Sequence, residues 1–454
     1  MSNLLTSLNN STNALSVYAD EFNTIQNNIT NANTPGYVKQ DLVLVSQPFD
    51  IKNGLPGGVT SAGQFSARSA YLEQAVRNQQ ELAGYAGQKA ADLKQAELPF
   101  DLTSQFGVPG ALNDFFNGFS QLSVNPNDAV ARQGILNLAK GVAQSFQQSA
   151  SGLTQVTRNV DQQTGGVVDG INRLASKIAD INHHYRSSSG SRTDAGLDAQ
   201  LNSALEELSG LTNFTLVRTA DGAANVYLGG GQSPLVLGDS ARPISADLSG
   251  PTTVIRDAQG NDVTSLVTRG KLGALLEEKN TLLPGYMGDL NTLAANFADQ
   301  INAALANGVD QNGNPPAQGL FTYDNTTGAA FTLAVNPLTP DQIAAALPTA
   351  PGGNGNAIAI AQLASQPTIN GFSFTQYYGN LGGRVGRDVA TADAQNTQFQ
   401  DTLTQARANR SQESGVSLDE EAAKLLQFQQ AYQAVGKLVQ VLDDLTQTVM
   451  GIIQ

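Results

Sequence analysis

The sequence predicts a mainly α-helical protein with a small inserted β domain, a long helical-bundle body, and paired coiled-coil helices formed by its two ends. Three observations predict this fold. Seven-residue apolar repeats occupy both chain ends, helical periodicity dominates the segments between them, and short β-prone runs with glycine turns lie between residues 214 and 237. Because 454 residues exceed the size of one hydrophobic core, we expect several domains.

The N-terminal segment carries a narrow apolar seam. Two sets of residues repeat there at intervals of seven. They are Leu8, Leu15, Phe22 and Ile29 in the first set and Leu4, Ser11, Tyr18 and Ile25 in the second. Asn, Ser, Thr and Gln make up most of the remaining positions, so the pattern is typical of a helix that packs on another helix and lacks a wide face for a globular core.

A predicted chain reversal follows this seam. Pro35 disfavours helix at Thr34. Pro35 followed by Gly36 suits the two central positions of a type II turn, and Tyr37 is the last residue of that turn. The next residues, 41–45, are β-prone, and residues 54–63 are predicted as a loop rich in Gly and Pro.

The body of the chain alternates helical and β-prone patterns. Helices are predicted at 68–97, 126–185, 197–208, 272–305 and 374–410. Pro126 suits the first turn of the longest helix, and the pair Gly165 and Gly166 is a candidate kink. Short strands are predicted at 214–218, 226–228 and 235–237, and the glycine turns between them are typical of an antiparallel meander.

The last helix begins after Gly415, where Ser417 can cap it and an acidic first turn favours its dipole. It carries a second pair of seven-residue repeats. They are Leu418, Leu425, Tyr432, Val439, Thr446 and Ile453 in one and Phe428, Val435, Leu442 and Val449 in the other. The two chain ends therefore need helical partners: each other, neighbouring subunits, or both. The alternative is an intramolecular coiled coil with no role in assembly.

These patterns predict three domains. Residues 1–62 with 412–454 form a terminal coiled-coil assembly domain. Residues 63–210 with 268–306 and 357–411 form a helical bundle. Residues 211–267, with 307–356 as a candidate addition, form an outward-facing β domain.

Composition excludes several functions. The net charge is −14, so we expect neither nucleic acid nor a membrane surface as a partner. The absence of cysteine excludes disulfides, thiolate metal sites and a cysteine nucleophile. No basic residue precedes Lys39 and no apolar stretch reaches about 20 residues, so a signal peptide and a membrane span are not expected.

Three short patterns resemble chemical sites, and each has a simpler interpretation. The adjacent His183 and His184 point about 100° apart on a helix and cannot chelate one ion together. Residues 310–314 (DQNGN) imitate the start of a calcium loop, but Pro315 and Phe321 replace its required Gly and Glu. Residues 229–231 (GGG) lie between strands, where a hairpin turn is expected. We therefore predict no catalytic, cofactor-binding or metal-binding residues, although sequence alone leaves carboxylate pairs open.

Two terminal motifs resemble known proteins. Residues 27–37 (NNITNANTPGY) are similar to the N-terminal signature of flagellar rod, hook and hook-associated proteins. Residues 414–432 (SGVSLDEEAAKLLQFQQAY) resemble the C-terminal segment of the family of flagellar hook-associated protein 1, as do residues 114–116, 131–133 and 270–276 in the interior. The stretch 308–356 looks short where longer family members carry an additional β-rich domain.

The resemblance implies a structural, non-enzymatic component of the bacterial flagellum that joins hook to filament, is needed for filament assembly and uses no cofactor. It implies export by the flagellar type III apparatus to the cell exterior. The implied partners are the hook protein, hook-associated protein 3, copies of itself in a ring, and an export chaperone on residues 418–454. Another axial protein of hook or rod type is the main alternative, and a surface enzyme anchored by helical ends is a further one.

We expect the assembly contacts to come from the two seams and the turn. The candidate residues are Leu8, Leu15, Phe22, Ile29, Pro35, Gly36, Tyr37, Leu418, Leu425, Phe428, Tyr432, Val435, Val439, Leu442, Val449 and Ile453.

Overall fold

The computed structural model describes residues 2–50, 55–100, 107–187 and 194–453. Helices dominate this part of the chain, as the sequence predicts. They are α1 (Ser2–Asn31), α2 (Ala70–Glu97), α3 (Val108–Leu122), α4 (Ala129–Ser187), α5 (Ala195–Leu211), α6 (Gly270–Glu277), α7 (Leu283–Ala306), α8 (Ala329–Thr332), α9 (Gly355–Gln362), α10 (Phe374–Ser414) and α11 (Leu418–Ile453).

Strands are short and antiparallel. They are β1 (Gln40–Ser46), β2 (Phe49–Asp50), β3 (Leu55–Pro56), β4 (Val59–Ser66), β5 (Phe214–Arg218), β6 (Ala224–Leu228), β7 (Ser233–Leu237), β8 (Ser240–Ala241), β9 (Ser245–Asp247), β10 (Val254–Arg256), β11 (Phe321–Thr322) and β12 (Ala334–Val335). Strands β5 to β8 form a four-stranded meander in chain order, and the remaining strands form pairs. The predicted class, mainly α with a small inserted β region and paired terminal helices, is confirmed.

The chain divides into two compact units. Unit 1 comprises residues 1–83, 170–244 and 399–454, and unit 2 comprises residues 84–169 and 245–398. The boundaries fall inside α2, α4 and α10 and between Ile244 and Ser245. The division into three domains stays a prediction.

Unit 2 has a large apolar core with an aromatic centre. The ring of Phe297, which is fully buried on α7, lies 5.2 Å from that of Phe321 and 5.4 Å from those of Phe115 and Phe374. Edge-to-face packing of this kind adds to the stabilisation that burial of aromatic area provides. Interlocked rings from α3, α7 and α10 therefore fix the middle of this unit.

Two ionisable side chains of unit 2, those of Arg132 and Glu278, are buried in different surroundings. Arg132 donates through Nε to the carbonyl of Pro126 at 2.7 Å and through Nη1 to that of Ile343 at 2.6 Å. Glu278 begins a π-helical turn, Glu278–Leu282, that interrupts the helix predicted at 272–305. Burial, together with the neighbouring carboxylate of Asp92, raises the pKa of Glu278 to about 10, so its side chain is neutral at pH 7.

In unit 1, asparagine side chains on α4 attach the meander to the helix. The fully buried Asn182 donates to the carbonyl of Ala224 at 2.8 Å and accepts from its N–H at 2.7 Å. Earlier on α4, Asn172 pairs in the same way with the backbone of Ile244. The first residue of β6 and the segment between β8 and β9 are thus bonded to a helix, which satisfies backbone groups that burial would otherwise leave unpaired.

The structure corrects two local predictions. Pro126 lies in the turn before α4, because that helix begins at Ala129. The loop predicted at 54–63 is wrong at 55–56 and from residue 59 onward, since β3 pairs there with β2 and β4 with β1. Helix α4 continues through Gly165 and Gly166, where the kink stays a prediction.

Candidate assembly interface

The two chain ends pair within unit 1. Asn28 near the end of α1 contacts Glu421 near the start of α11, whereas Tyr18, earlier in α1, packs on Phe428, later in α11. The helices are therefore antiparallel. The rings of Tyr18 and Phe428 and those of Phe22 and Tyr432 are each 5.8 Å apart, so aromatic contacts lie at the middle of the pair.

On α1, the predicted seam covers only part of the buried face. Leu8, Leu15 and Phe22 are half-buried, while Ile29 is exposed. The buried positions toward the end of this helix are Val17, Glu21, Thr24, Ile25 and Asn28. Most of them lie one residue round the helix from the predicted seam, about 100° away. The prediction of a narrow seam with no wider face is wrong here, because β1 and β4 also cover α1.

On α11, one predicted repeat faces α1, and the other does so from Tyr432 onward, whose ring packs on Phe22 although it is partly exposed. Phe428, Val435, Leu442 and Val449 are half-buried, as is Val439, whereas Leu418, Leu425 and Tyr432 are exposed. The backbone of Ile453 ends the helix, and its side chain lies outside the described residues. Lys424, Ala431, Gly436 and Thr446 are the other half-buried residues of this helix.

The predicted type II turn is confirmed. Gly36 has φ +76°, as its central position requires, and the N–H of Tyr37 donates to the carbonyl of Thr34 at 3.1 Å. Pro35 is exposed, and Gly36 and Tyr37 are half-buried. A Cβ at residue 36 would overlap the carbonyl oxygen of Ala199 on α5, so glycine is needed for both conformation and space.

An ion network fixes this turn. Arg68 donates through Nη2 to the carbonyl of Gly36 at 2.6 Å, and the same guanidinium pairs with Asp198 at 2.6 Å and with Glu73. Arg410 Nη1 lies 3.1 Å from Oε2 of Glu73, the carboxylate oxygen that Arg68 does not contact. Because these groups come from α2, α5 and α10, the turn is bonded to helices distant in sequence.

Sequence reasoning missed the buried polar residues of the interface. Asn28 and Glu421 are 1% and 0% exposed, and Glu21 is also buried. One signal was available for Glu421, since it precedes Phe428 by seven residues and so occupies the same heptad position. A charged residue at such a position indicates a specific partner, because a buried charge is costly alone.

Electrostatics at the interface are dominated by carboxylates. Burial raises the pKa of Glu21, Lys424 opposes this rise, and Asp41 and Glu421 add to it. Burial beside Glu421 also raises the pKa of Tyr37 to about 12. Two cations lie beside the group: Lys424, whose Nζ lies 2.8 Å from Asp41, and Lys39, whose Nζ lies 4.0 Å from Asp41 and 3.5 Å from Glu420. The pair of helices thus contains more negative than positive charge.

A second apolar face remains exposed on α11. Ala434, Leu438, Val441 and Leu445 follow one another at intervals of four, three and four residues, and we call them the outer seam. Leu438, Val441 and Leu445 are 49%, 53% and 48% exposed. They lie beside the stripe that contacts α1 and not within it. This spacing is that of a second helix-packing surface.

The three sequence patterns that imitate chemical sites lie on an exposed helix end, in a local turn and in a strand connection. His183 and His184 are exposed, with ring centroids 6.3 Å apart. Asp310 accepts from the N–H groups of Asn312 and Asn314 at 2.8 Å within a local turn, and the GGG segment connects β6 to β7. Within the described ranges there is no cluster of three or more His, Cys, Asp or Glu residues suited to a metal ion, and no helix has the length and hydrophobicity to cross a membrane.

These elements define a mainly α-helical protein whose two chain ends form one helical pair. Residues 93–321, just over half of the chain, match the family model described as flagellar hook-associated protein FlgK helical domain. The chain belongs to this family and is a structural component of the bacterial flagellum. Residues 408–452 match a second model, described as flagellar basal body rod FlgEFG protein C-terminal.

Individual relatives agree with this assignment. Flagellar hook-associated protein 1 of Bacillus subtilis is 28% identical over 96% of both chains. The Salmonella typhimurium protein of the same name is 26% identical over 59% of this chain and 51% of its own. The structure of the flagellar hook junction protein FlgK from Burkholderia pseudomallei superimposes with a TM-score of 0.65 at 17% identity, covering 76% of this chain and all of that one, which shows a shared fold.

Proposed function

We propose that this chain forms the junction between the hook and the filament and that the filament cannot assemble without it. The names of its relatives, hook-associated protein 1 and hook junction protein, support this role. In the assembled flagellum it would act outside the cell as a ring of copies, in contact with the hook protein on one side and hook-associated protein 3 on the other.

The outer seam is the observation that carries this proposal. Three large aliphatic side chains in register on one helix are costly to leave in water, and since about half of each is already buried, completing its burial would gain roughly 1 kcal/mol. A neighbouring helix supplies such burial at the matching seven-residue spacing. The seam therefore suits contacts between subunits, and the predicted residues Leu418, Leu425 and Tyr432 extend the exposed apolar surface toward the start of α11.

The same surface suits an export chaperone before assembly. Residues 418–454 would be bound in the cytoplasm by a helix-binding groove that shields the apolar positions. After export by the type III apparatus, neighbouring subunits would replace the chaperone. The net charge of −14 favours repulsion between free copies, which keeps them apart until they reach the growing structure.

We also infer that the chain is not an enzyme. Its family is a structural one, and its two histidines are exposed neighbours on α4 with no nucleophile among their contacts in the described chain. Among the buried carboxylates of unit 1, Glu421 accepts from Asn28, and Glu73 pairs with Arg68 and Arg410. These observations support a role that depends on binding alone.

The outer seam offers a direct test. The triple variant Leu438→Ser, Val441→Ser, Leu445→Ser should fold normally, because these side chains are exposed in the isolated chain. Cells that carry it in place of the native chain should make hooks without filaments in electron micrographs. The control replaces three exposed polar residues of the same helix, Gln429, Gln433 and Gln440, with serine and should give full filaments.

Export must be measured separately, since a chaperone could use the same surface. The extent of export is measured as the amount of variant protein in the culture medium. Export at the native level without filaments would assign the seam to subunit contacts, and filaments of normal number and length in the triple variant would overturn the proposal.

A hook-type or rod-type axial role is the second candidate, and the rod-protein model that matches residues 408–452 favours it. Gold labelling of an epitope inserted after Gly230, in the hairpin turn between β6 and β7, would separate the two roles. A single band at the hook end supports the junction, whereas label along the whole hook or within the rod supports the alternative.

A further inference from the structure

Helices α1 and α11 meet at a buried polar pair as well as at their apolar seams. The Nδ2 of Asn28 donates to Oε2 of Glu421 at 3.0 Å, and both side chains are almost completely buried. A buried carboxylate without a donor is strongly disfavoured. This bond therefore distinguishes one alignment of the two helices from others that bury similar apolar area.

The Asn28 amide has no hydrogen-bonding capacity to spare. Its Nδ2 also donates to the carbonyl of Gln40 at 2.8 Å, and its Oδ1 accepts from the N–H of Gln40 and from the hydroxyl of Tyr37, each at 2.9 Å. An amide offers two N–H groups and two lone pairs, and all four are used. One side chain of α1 thus links the end of the turn, the start of β1 and the first turn of α11.

The apolar seams cannot select an alignment by themselves. Phe428, Val435, Leu442 and Val449 repeat every seven residues, so α11 can move by one heptad along α1 and still present apolar groups at most positions. Such a shift would carry Glu421 away from Asn28 and Lys424 away from Asp41, which it contacts at 2.8 Å. The polar contacts are lost in every shifted alignment.

We propose that Asn28 and Glu421 set the register of α11 on α1, and that this register requires the closed turn, because Tyr37 and Gln40 hold the Asn28 amide in the orientation that faces Glu421. Both are positioning residues of the terminal pair. This inference concerns the isolated chain, and it stands or fails independently of the junction role proposed above.

Disulfide scanning can read the register without background, since the native chain has no cysteine. Ser11→Cys is combined in turn with Val435→Cys, Val439→Cys, Leu442→Cys and Thr446→Cys in the full-length protein. Extended in the antiparallel sense, the three cited contacts place residue 11 opposite residues 435–443, centred on 439, and a disulfide needs Cα atoms within about 7 Å. Mild oxidation should therefore give one dominant product, with cysteine at 439, measured on non-reducing gels and by mass spectrometry.

The Asn28→Asp variant tests the polar pair. It replaces the donor that faces Glu421 with a second carboxylate while keeping the side-chain shape. We expect the product at 439 to fall about tenfold relative to the other three positions, the size typical of coupling between contacting buried groups. Adding Glu421→Gln returns a donor to the pair and should recover a substantial part of the native pattern.

Two matched controls change the same chemical groups at exposed positions nearby. Asn23→Asp alters α1 and Glu420→Gln alters α11, and both should leave the pattern unchanged. The proposal is overturned if Asn28→Asp keeps the native maximum. It is also overturned if Glu421→Gln fails to restore that maximum, because the loss would then reflect general damage to the helices and not their register.

Discussion

Unit 2 and the terminal pair are both helical, yet their helices are stabilised in different ways. In unit 2, Phe297 is surrounded by rings from other elements and is fully buried. On α11, Glu421 is the only fully buried residue among those whose side chains are described, 418–451. Apolar burial stabilises the first region, whereas specific polar bonds orient the second.

The difference shows which contacts the isolated chain completes. Unit 2 buries its central rings within its own core, although Val124 and Val130 on its surface stay exposed. The terminal pair keeps Leu438, Val441 and Leu445 in solvent in one row on one helix, which is the surface that the proposed subunit contact would cover. Substitutions should therefore affect folding in unit 2 and alignment or assembly in the terminal pair.

The largest effect is expected at the aromatic core. Phe297→Ala should lower the free energy of unfolding by about 3–5 kcal/mol, because it removes a fully buried ring and leaves a cavity. Urea denaturation followed by circular dichroism measures this change. The control Phe331→Ala alters an exposed ring in the same unit and should cost less than about 1 kcal/mol. Equal effects of the two variants would contradict the contrast drawn above.

The turn at Gly36 should give the next largest effect. Gly36→Ala forces a side chain into a left-handed conformation and against the carbonyl of Ala199, at a cost of about 2 kcal/mol or more. Hydrogen exchange should show lost protection in α1 and α11 with little change around Phe297. Gly63→Ala is the control for conformation alone, because that glycine also has positive φ but open space beside it.

Glu278 should give unit 2 an unusual pH dependence. Its pKa rises from an ordinary value of 4.5 to about 10 on folding, so the folded unit binds a proton that the unfolded chain releases. The stability that this proton provides is complete below pH 4.5 and is lost as pH rises toward 10. Glu278→Gln should stabilise the protein at pH 8 by at least about 1 kcal/mol and flatten the pH dependence of unfolding. Glu97→Gln, at an exposed site, should change neither.

The smallest effect is expected at Glu21, in the terminal pair. Its raised pKa has the same sign, so the pairing of α1 with α11 should weaken as pH rises above 4.5. Glu21→Gln should slow proteolysis of α11 at pH 8 and make no difference at pH 4.5. Asp20→Asn, an exposed neighbour, serves as the control; a similar effect of both variants would point to net charge and not to the buried site.

Local patterns predicted much of this fold. Strand β5 lies where its β-branched and aromatic residues indicate, and α10 and α11 begin at the predicted residues Phe374 and Leu418. The cap is also confirmed, since Ser417 Oγ accepts from the N–H of Glu420. Periodicity and capping depend on neighbours in sequence, which is why they could be recognised without a structure.

Features set by distant contacts were not predictable in the same way. The orientation of α1 depends on Glu21 and Asn28, and polar side chains such as these are expected in solvent when only the sequence is known. Asn28 is buried because Gln40, Tyr37 and Glu421, distant in sequence, supply its hydrogen-bond partners. Strand β4 forms because β1 pairs with it. No helix is predicted at 108–122 either, although Leu112, Phe115 and Phe119 have helical spacing and could have indicated α3.

The neutral side chain of Glu278 makes the hydrogen ion a ligand of unit 2. As a protein that folds around a metal ion releases the metal on unfolding, this unit at pH 7 should release one proton from this site for each molecule that unfolds. The heat of unfolding should then vary with the ionisation enthalpy of the buffer. Calorimetry in phosphate and in Tris would thus count a bound particle that no diffraction map at ordinary resolution displays.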